Sequence, residues 1–82
     1  MKICISIIST NQNELIKDLL GDLTDISNIA NVQVILRHNL PENSIGKVYG
    51  INLKEVWNKK KAGFAKNHND NFKLINCDIF MV

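Results

Sequence analysis

Lys2-Ile3-Cys4-Ile5-Ser6-Ile7-Ile8-Ser9 decides the reading of the fold. Its apolar residues do not alternate with polar ones. A strand covered on both faces reads this way, and such strands belong to parallel sheets flanked by helices. A crossover helix and a second buried strand must therefore come next in the chain. Asn11 is placed to cap that helix, with Glu14 three residues on as in a capping box. Leu15, Leu19, Leu23 and Ile26 recur at helical spacing, with Ile16 and Leu20 beside them. Lys17, Asp18, Asp22 and Asp25 take the opposite side, and Asn28 to Asn31 breaks the pattern. Val32 to Arg37 is the second strand, rich in β-branched residues.

His38 to Asn52 has no helical period and carries Pro41, Gly46 and Gly50, so it reads as a long irregular connection. Leu53 to Trp57 is a third strand at a sheet edge, with Trp57 packed there. After the polar stretch Asn58 to Gly63, a second helix starts at Phe64. Phe64, His68, Phe72 and Ile75 share one face of it and read as core, while Lys66, Asp70 and Lys73 face water. Cys77 to Val82 is a fourth, apolar strand. The expected architecture is α/β: a half-Rossmann three-layer sandwich around a mostly parallel four-stranded sheet in the order 3-2-1-4. The sequence halts inside an apolar strand, which reads as a truncated piece of a longer protein.

Composition limits the function. The chain has 82 residues, 45% of them hydrophobic and 22% charged, as in an ordinary globular domain. Its apolar runs are too short for a membrane span or a signal peptide, so a cytoplasmic location is expected. A net charge of +2 argues against nucleic acid as a partner. Lys59-Lys60-Lys61 reads as a solvated surface run. The two cysteines, Cys4 and Cys77, are distant in sequence and read as buried, reduced thiols inside strands. His38 and His68 lack a third ligand at metal-binding spacing. No Walker or Gly-x-Gly-x-x-Gly pattern supports ATP or NAD, and no acidic cluster comes after the first strand as in a receiver domain.

In such sheets a ligand sits beyond the carboxyl ends of the strands. Ser9, Thr10 and Asn11 after the first strand, and His38 and Asn39 after the second, fall there. Gly63, just before a helix, reads either as an ordinary turn glycine or as part of a phosphate cradle of free N–H groups. Asn67, Asn69 and Asn71 are poor helix formers inside a helix, and Asn69 reads as a site residue on that ground.

The ordered set Ile5 to Asn11, Val34 to Asn39, Gly63-Phe64-Ala65-Lys66-Asn67-His68-Asn69 and Ile79 to Val82 resembles the N-terminal part of a family 2 glycosyltransferase, rhamnosyltransferase-like in its Gly-Phe segment. His38-Asn39-Leu40-Pro41-Glu42 is similar to a subgroup with Asn-x-Pro-Glu at that place. The resemblance implies a glycosyltransferase A fold. It makes residues 1–82 the nucleotide-binding part of an incomplete domain, unable to catalyse sugar transfer alone. The parent protein would move a sugar from a nucleotide-diphosphate sugar to a glycan or lipid-linked acceptor. Thr10, Asn11, His38, Asn39, Gly63, His68 and Asn69 are the nucleotide-binding candidates it implies. Two positions depart from the family: His38 stands where most members carry a base-binding Asp, and Asn71 where Gly is common. Mg²⁺ or Mn²⁺ is implied for the parent, on a motif directly after the fourth strand that these residues lack. A different expectation is a small non-enzymatic module that binds nucleotide or pairs as a homodimer through exposed strands.

Overall fold

A computed structural model of the chain describes residues 2–24, 31–46, 48 and 50–82. Asp25, Ile26 and Asn28, expected in and after the first helix, lie outside the described residues. The elements are β1 (Lys2–Ser9), α1 (Asn13–Asp22), β2 (Asn31–His38), β3 (Asn52–Trp57), α2 (Phe64–Leu74) and β4 (Ile79–Met81). The sheet has four parallel strands in the order β3-β2-β1-β4, as expected from the unalternating first strand. β1 pairs with β2 along its whole length, from Lys2 opposite Asn31 to Ser9 opposite His38. β3 is an edge, its Trp57 opposite His38.

The two faces of the sheet differ in chemistry. On one, Ile16 and Leu20 of α1 pack on Val34 and Leu36 of β2 and on Ile45, with Ile5, Ile7 and Leu53 around them. Each such side chain contributes about 1.5–3 kcal/mol by leaving water. The other face mixes the buried apolar Cys4 and Ile35 with Ser6 and Arg37, and α2 meets the last two with polar side chains. Side chains on a strand alternate between faces, so β1 and β2 each serve both layers.

Four expectations need correction. Asn11 does not cap α1. It takes a left-handed conformation (φ 67°), which Asn tolerates better than most residues. Gln12 precedes the helix instead and makes no side-chain capping bond. The buried stripe of α1 is Ile16 and Leu20, while Leu15 and Leu19 are 67% and 45% exposed. One residue turns a helix by about 100°, so this one-position difference rolls the whole face.

In α2, Phe64 and Phe72 are not core: they are 71% and 56% exposed. The buried residues are Asn67, His68 and Asn71, because the sheet beneath offers hydroxyl and guanidinium groups and amides can pair with these. His68 therefore lies on a polar helix face, and Phe72 meets only the edge of Phe80, at 5.1 Å.

Finally, β4 is limited to three residues, opposite Ile3 to Ile5. Cys77 and Asp78 precede it. The Asp78 N–H donates to the Lys2 carbonyl at 2.9 Å, and the Asp78 carboxylate accepts from the Lys2 N–H at 2.7 Å.

Candidate functional site

The carboxyl ends of β1, β2 and β3 meet around Asn39. Its N–H donates to the Ser9 carbonyl (2.8 Å), tying it to the end of β1. Its side-chain amide forms two bonds with one residue: Nδ2 donates to the Ala62 carbonyl (3.0 Å) and the Ala62 N–H donates to Oδ1 (2.8 Å). Asn39 thereby copies a strand neighbour and fixes the chain one residue before Gly63. Asn58, after β3, donates from Nδ2 to both Asn39 (2.8 Å) and Asn67 (2.7 Å).

From Asn58 a polar network runs under α2. Arg37 is buried and donates to Asn58 through Nη1 (2.7 Å) and to Asn71 through Nε (2.7 Å). Asn71 donates to Ser6 Oγ (2.8 Å), and Ser6 Oγ lies 2.6 Å from His68 Nδ1. Burial lowers the pKa of His68, so its neutral form is favoured. Ser6 Oγ links Asn71 to His68 beneath the helix. His68 is thus a hydrogen-bonded histidine under the helix, touched by the edge of Phe64 at 4.4 Å.

His38 is fully buried on the opposite face. Glu42 lies 2.5 Å from Nδ1 and Glu55 lies 2.6 Å from Nε2. The imidazole thus bridges the two carboxylates, one at each ring nitrogen. Trp57 stacks on it with centroids 4.7 Å apart and planes 14° from parallel, and its Nε1 donates to the Glu42 carbonyl. Burial raises the pKa of Glu42, but hydrogen bonds from Ser9 and His38, the charge of His38 and the Asn11 N–H outweigh it, and the net shift is downward. Glu42 Oε2 is enclosed without a well-aligned hydrogen bond of its own. Glu55 obeys the same rule: burial raises its pKa, while Ser44, His38 and the Ile45 N–H lower it further. Glu55 also borders an open cleft of about 440 Å³ floored by Val48, Ile51 and Leu53.

Both carboxylates contribute stability that is complete above their ordinary value near 4.5 and is lost as pH falls through their lower folded values. His68 acts in the same direction from a higher start. Its contribution is complete above about 6.5 and declines as pH falls towards its depressed folded value. Urea midpoints are therefore expected to fall in two stages on acidification. His68→Gln should remove the stage that begins near pH 6.5, and an unchanged first stage in that variant would assign it to another group.

The sequence candidates thus divide. His38, Asn39 and His68 are buried; the side-chain polar groups of His38 and Asn39 pair inside the protein, and Nδ1 of His68 pairs with Ser6. Thr10 and Asn11 are exposed on the turn after β1, where the Thr10 hydroxyl donates to Gln12 at 3.3 Å. Gly63 is exposed at the start of α2 with an extended φ of −79°. A Cβ there would meet nothing within 4 Å, so the fold itself does not require glycine. Asn69 is exposed and lies outside the buried face of α2. Sequence reasoning does not single out Arg37, Asn58, Asn67, Asn71, Glu42 or Glu55 as site residues. The spacing of Asn67 and Asn71, four apart on a helix, is the available signal, since it places two amides on one face.

Among the described residues, no group of three or more His, Cys, Asp or Glu side chains could hold a metal ion. No helix among them is long and apolar enough to cross a membrane. The fold defines the chain as a Rossmann-like α/β protein with one parallel sheet between two helical layers. No known family, curated protein or solved structure matches it.

Proposed function

We propose that this chain is the nucleotide-binding part of a cytoplasmic glycosyltransferase. The parent protein transfers a sugar from a nucleotide-diphosphate sugar to a glycan or lipid-linked acceptor. One observation carries the reading: Asn39 ties the end of β1 to Ala62, so the exposed Thr10–Asn11 turn and the Gly63 helix start share the carboxyl edge of a 3-2-1-4 sheet. That edge is where parallel α/β sheets take nucleotides. Helix N–H groups at Gly63 suit a phosphate, and the Thr10 and Asn11 side chains suit a base or ribose. His38, buried between the Glu42 and Glu55 carboxylates, holds the loop after β2 in place and leaves ligand contact to exposed neighbours. The ordered resemblance to family 2 glycosyltransferases supports the sugar-nucleotide class.

Calorimetric titration with uridine, guanosine, thymidine and cytidine diphosphates tests this. At least one should bind weakly. Gly63→Ala has room for its methyl group in the free protein, so it should leave stability within about 0.5 kcal/mol of the original while weakening binding several-fold. Asn11→Gly keeps the left-handed turn and removes the side chain, and should weaken binding too. Absence of heat with all four nucleotides sinks the proposal.

A second reading is favoured by a different observation. Ile79 and Met81 on the three-residue β4 expose large apolar side chains, as a strand-pairing module would. Light scattering separates the two: a dimer without nucleotide affinity supports the module, and a monomer that binds nucleotide supports the transferase.

A further inference from the structure

The chain that leaves β2 is tied down at each residue from Glu42 to Ile45. The Glu42 carboxylate lies 2.5 Å from His38 Nδ1, and the Glu42 carbonyl accepts from Trp57 Nε1 at 3.0 Å. The Asn43 carbonyl accepts from Asn13 Nδ2 at 2.9 Å. The Ser44 hydroxyl donates to Glu55 Oε1 (2.5 Å) and the Ile45 N–H to Glu55 Oε2 (3.2 Å). Glu55 Oε2 also lies 2.6 Å from His38 Nε2. One carboxylate on β3 therefore holds the strap directly at residues 44 and 45 and, through His38, at residue 42. The far side of the strap belongs to α1: Ile45 packs in the core with Ile16 and Leu20, and Asn13 is the first residue of that helix. Gln12 gives α1 no capping side chain, so the bond from Asn13 to the strap takes part in fixing where the helix begins. The Thr10–Asn11 turn hangs between two such ties. Before it, the Ser9 carbonyl accepts from the Asn39 N–H, and after it Asn13 reaches Asn43. Asn11 keeps its φ of 67° between these held ends, as a sparsely populated conformation requires.

We propose that Glu55 is a positioning residue for the Thr10–Asn11 turn, acting through the strap of residues 42–45 and Asn13. The inference deepens the binding reading and rests on it for the ligand, a nucleoside diphosphate, while the coupling between Glu55 and the turn stands by itself. The hydrogen-bonding partners of Glu55 are His38, Ser44 and Ile45, none of them in the turn, so its action is indirect. While the carboxylate holds Ser44 and Ile45, the Asn43 carbonyl stays facing Asn13 and the turn keeps one arrangement. A turn that is ordered before the ligand arrives loses less conformational entropy on binding. Once the strap is released, Asn13 loses its partner on the strap and the turn samples other arrangements. Affinity then falls although no group that meets the ligand has changed.

Native-state amide exchange followed by NMR on the full chain tests the coupling. Equivalent bonds close the first turns of the two helices: the Ile16 N–H donates to the Gln12 carbonyl and the Asn67 N–H to the Gly63 carbonyl, both at 3.1 Å. Glu55→Gln should speed exchange at Ile16 several-fold more than at Asn67, and so should Asn13→Ala. A general loss of stability would speed both amides alike. Should Glu55→Gln fail to fold, Ser44→Ala removes one strap bond at an exposed position and carries the comparison. Calorimetric titration with uridine, guanosine, thymidine and cytidine diphosphates supplies the second readout. Asn13→Ala and Ser44→Ala should each weaken the nucleotide that binds several-fold. The double variant should lose no more than the more affected single one, because both cut the same strap, whereas independent sites add. Equal acceleration at Ile16 and Asn67, an unchanged Ile16, or additive losses of affinity overturn the proposal. Absence of heat with all four nucleotides strikes the binding reading alone, and selective acceleration at Ile16 then still upholds the strap.

Discussion

Asn71→Ala is expected to lower the unfolding free energy by about 3 kcal/mol. Asn71 accepts from Arg37 Nε and donates to Ser6 Oγ, both in the interior. Alanine removes both partners, leaving a buried guanidinium held by Asn58 alone. A hydrogen bond to a charged group is worth about 1.5–3 kcal/mol, and stranding a buried polar group costs more than the bond itself. A domain of this size shifts by about 4–8 °C per kcal/mol, so the melting temperature should drop by more than about 10 °C. Asn69→Ala is the internal control. Asn69 is exposed, and alanine is the better helix former, so that variant should match or slightly exceed the original stability. Trp57, the single tryptophan, reports both unfolding curves. Equal losses in the two variants would mean that α2 is not held down by its amides.

The second large effect is expected at Glu55. Its Oε2 accepts from His38 and from the Ile45 N–H, and its Oε1 from Ser44. Glu55→Gln keeps the shape but removes the charge from a carboxylate that holds three hydrogen-bonding partners, and hydrogen bonds to a charged group are worth about 1.5–3 kcal/mol each. The loss should be complete at pH 7 and shrink on acidification, because the original protein loses the same interaction when its carboxylates take up protons. Each has a folded pKa below its ordinary value, so the window opens near pH 4.5 and extends downward. Urea midpoints at pH 7 and pH 3 for both proteins measure this. A gap that stays constant between those two values would place the cost of Glu55→Gln in packing and not in charge.

Both predictions concern residues that the linear sequence does not single out, and the reason is physical. The unalternating run at Lys2 to Ser9 carries its own meaning: only a strand covered on both sides tolerates apolar residues facing each way, which forces a parallel sheet and crossover helices. The sheet order 3-2-1-4 comes from that and from crossover handedness, and the strands lie at or within two residues of their expected places. What each helix buries is different, because it depends on the partner surface. Asn71 reads as a helix-weakening residue until Ser6 and Arg37 lie beneath it, Asn67 until it meets Asn58 and Ala62, and Phe72 reads as core until the fold leaves it exposed. His38 reads as a ligand at the end of a strand until Glu42 and Glu55, from a loop and a neighbouring strand, close on both its nitrogens. Local periodicity sets the strands, their order and the existence of the helices. Pairings between residues far apart in the chain, such as Arg37 with Asn71 and Ser6 with His68, exist only once the sheet and α2 are assembled, and it is these that decide which polar groups are structural and which remain free to meet a ligand.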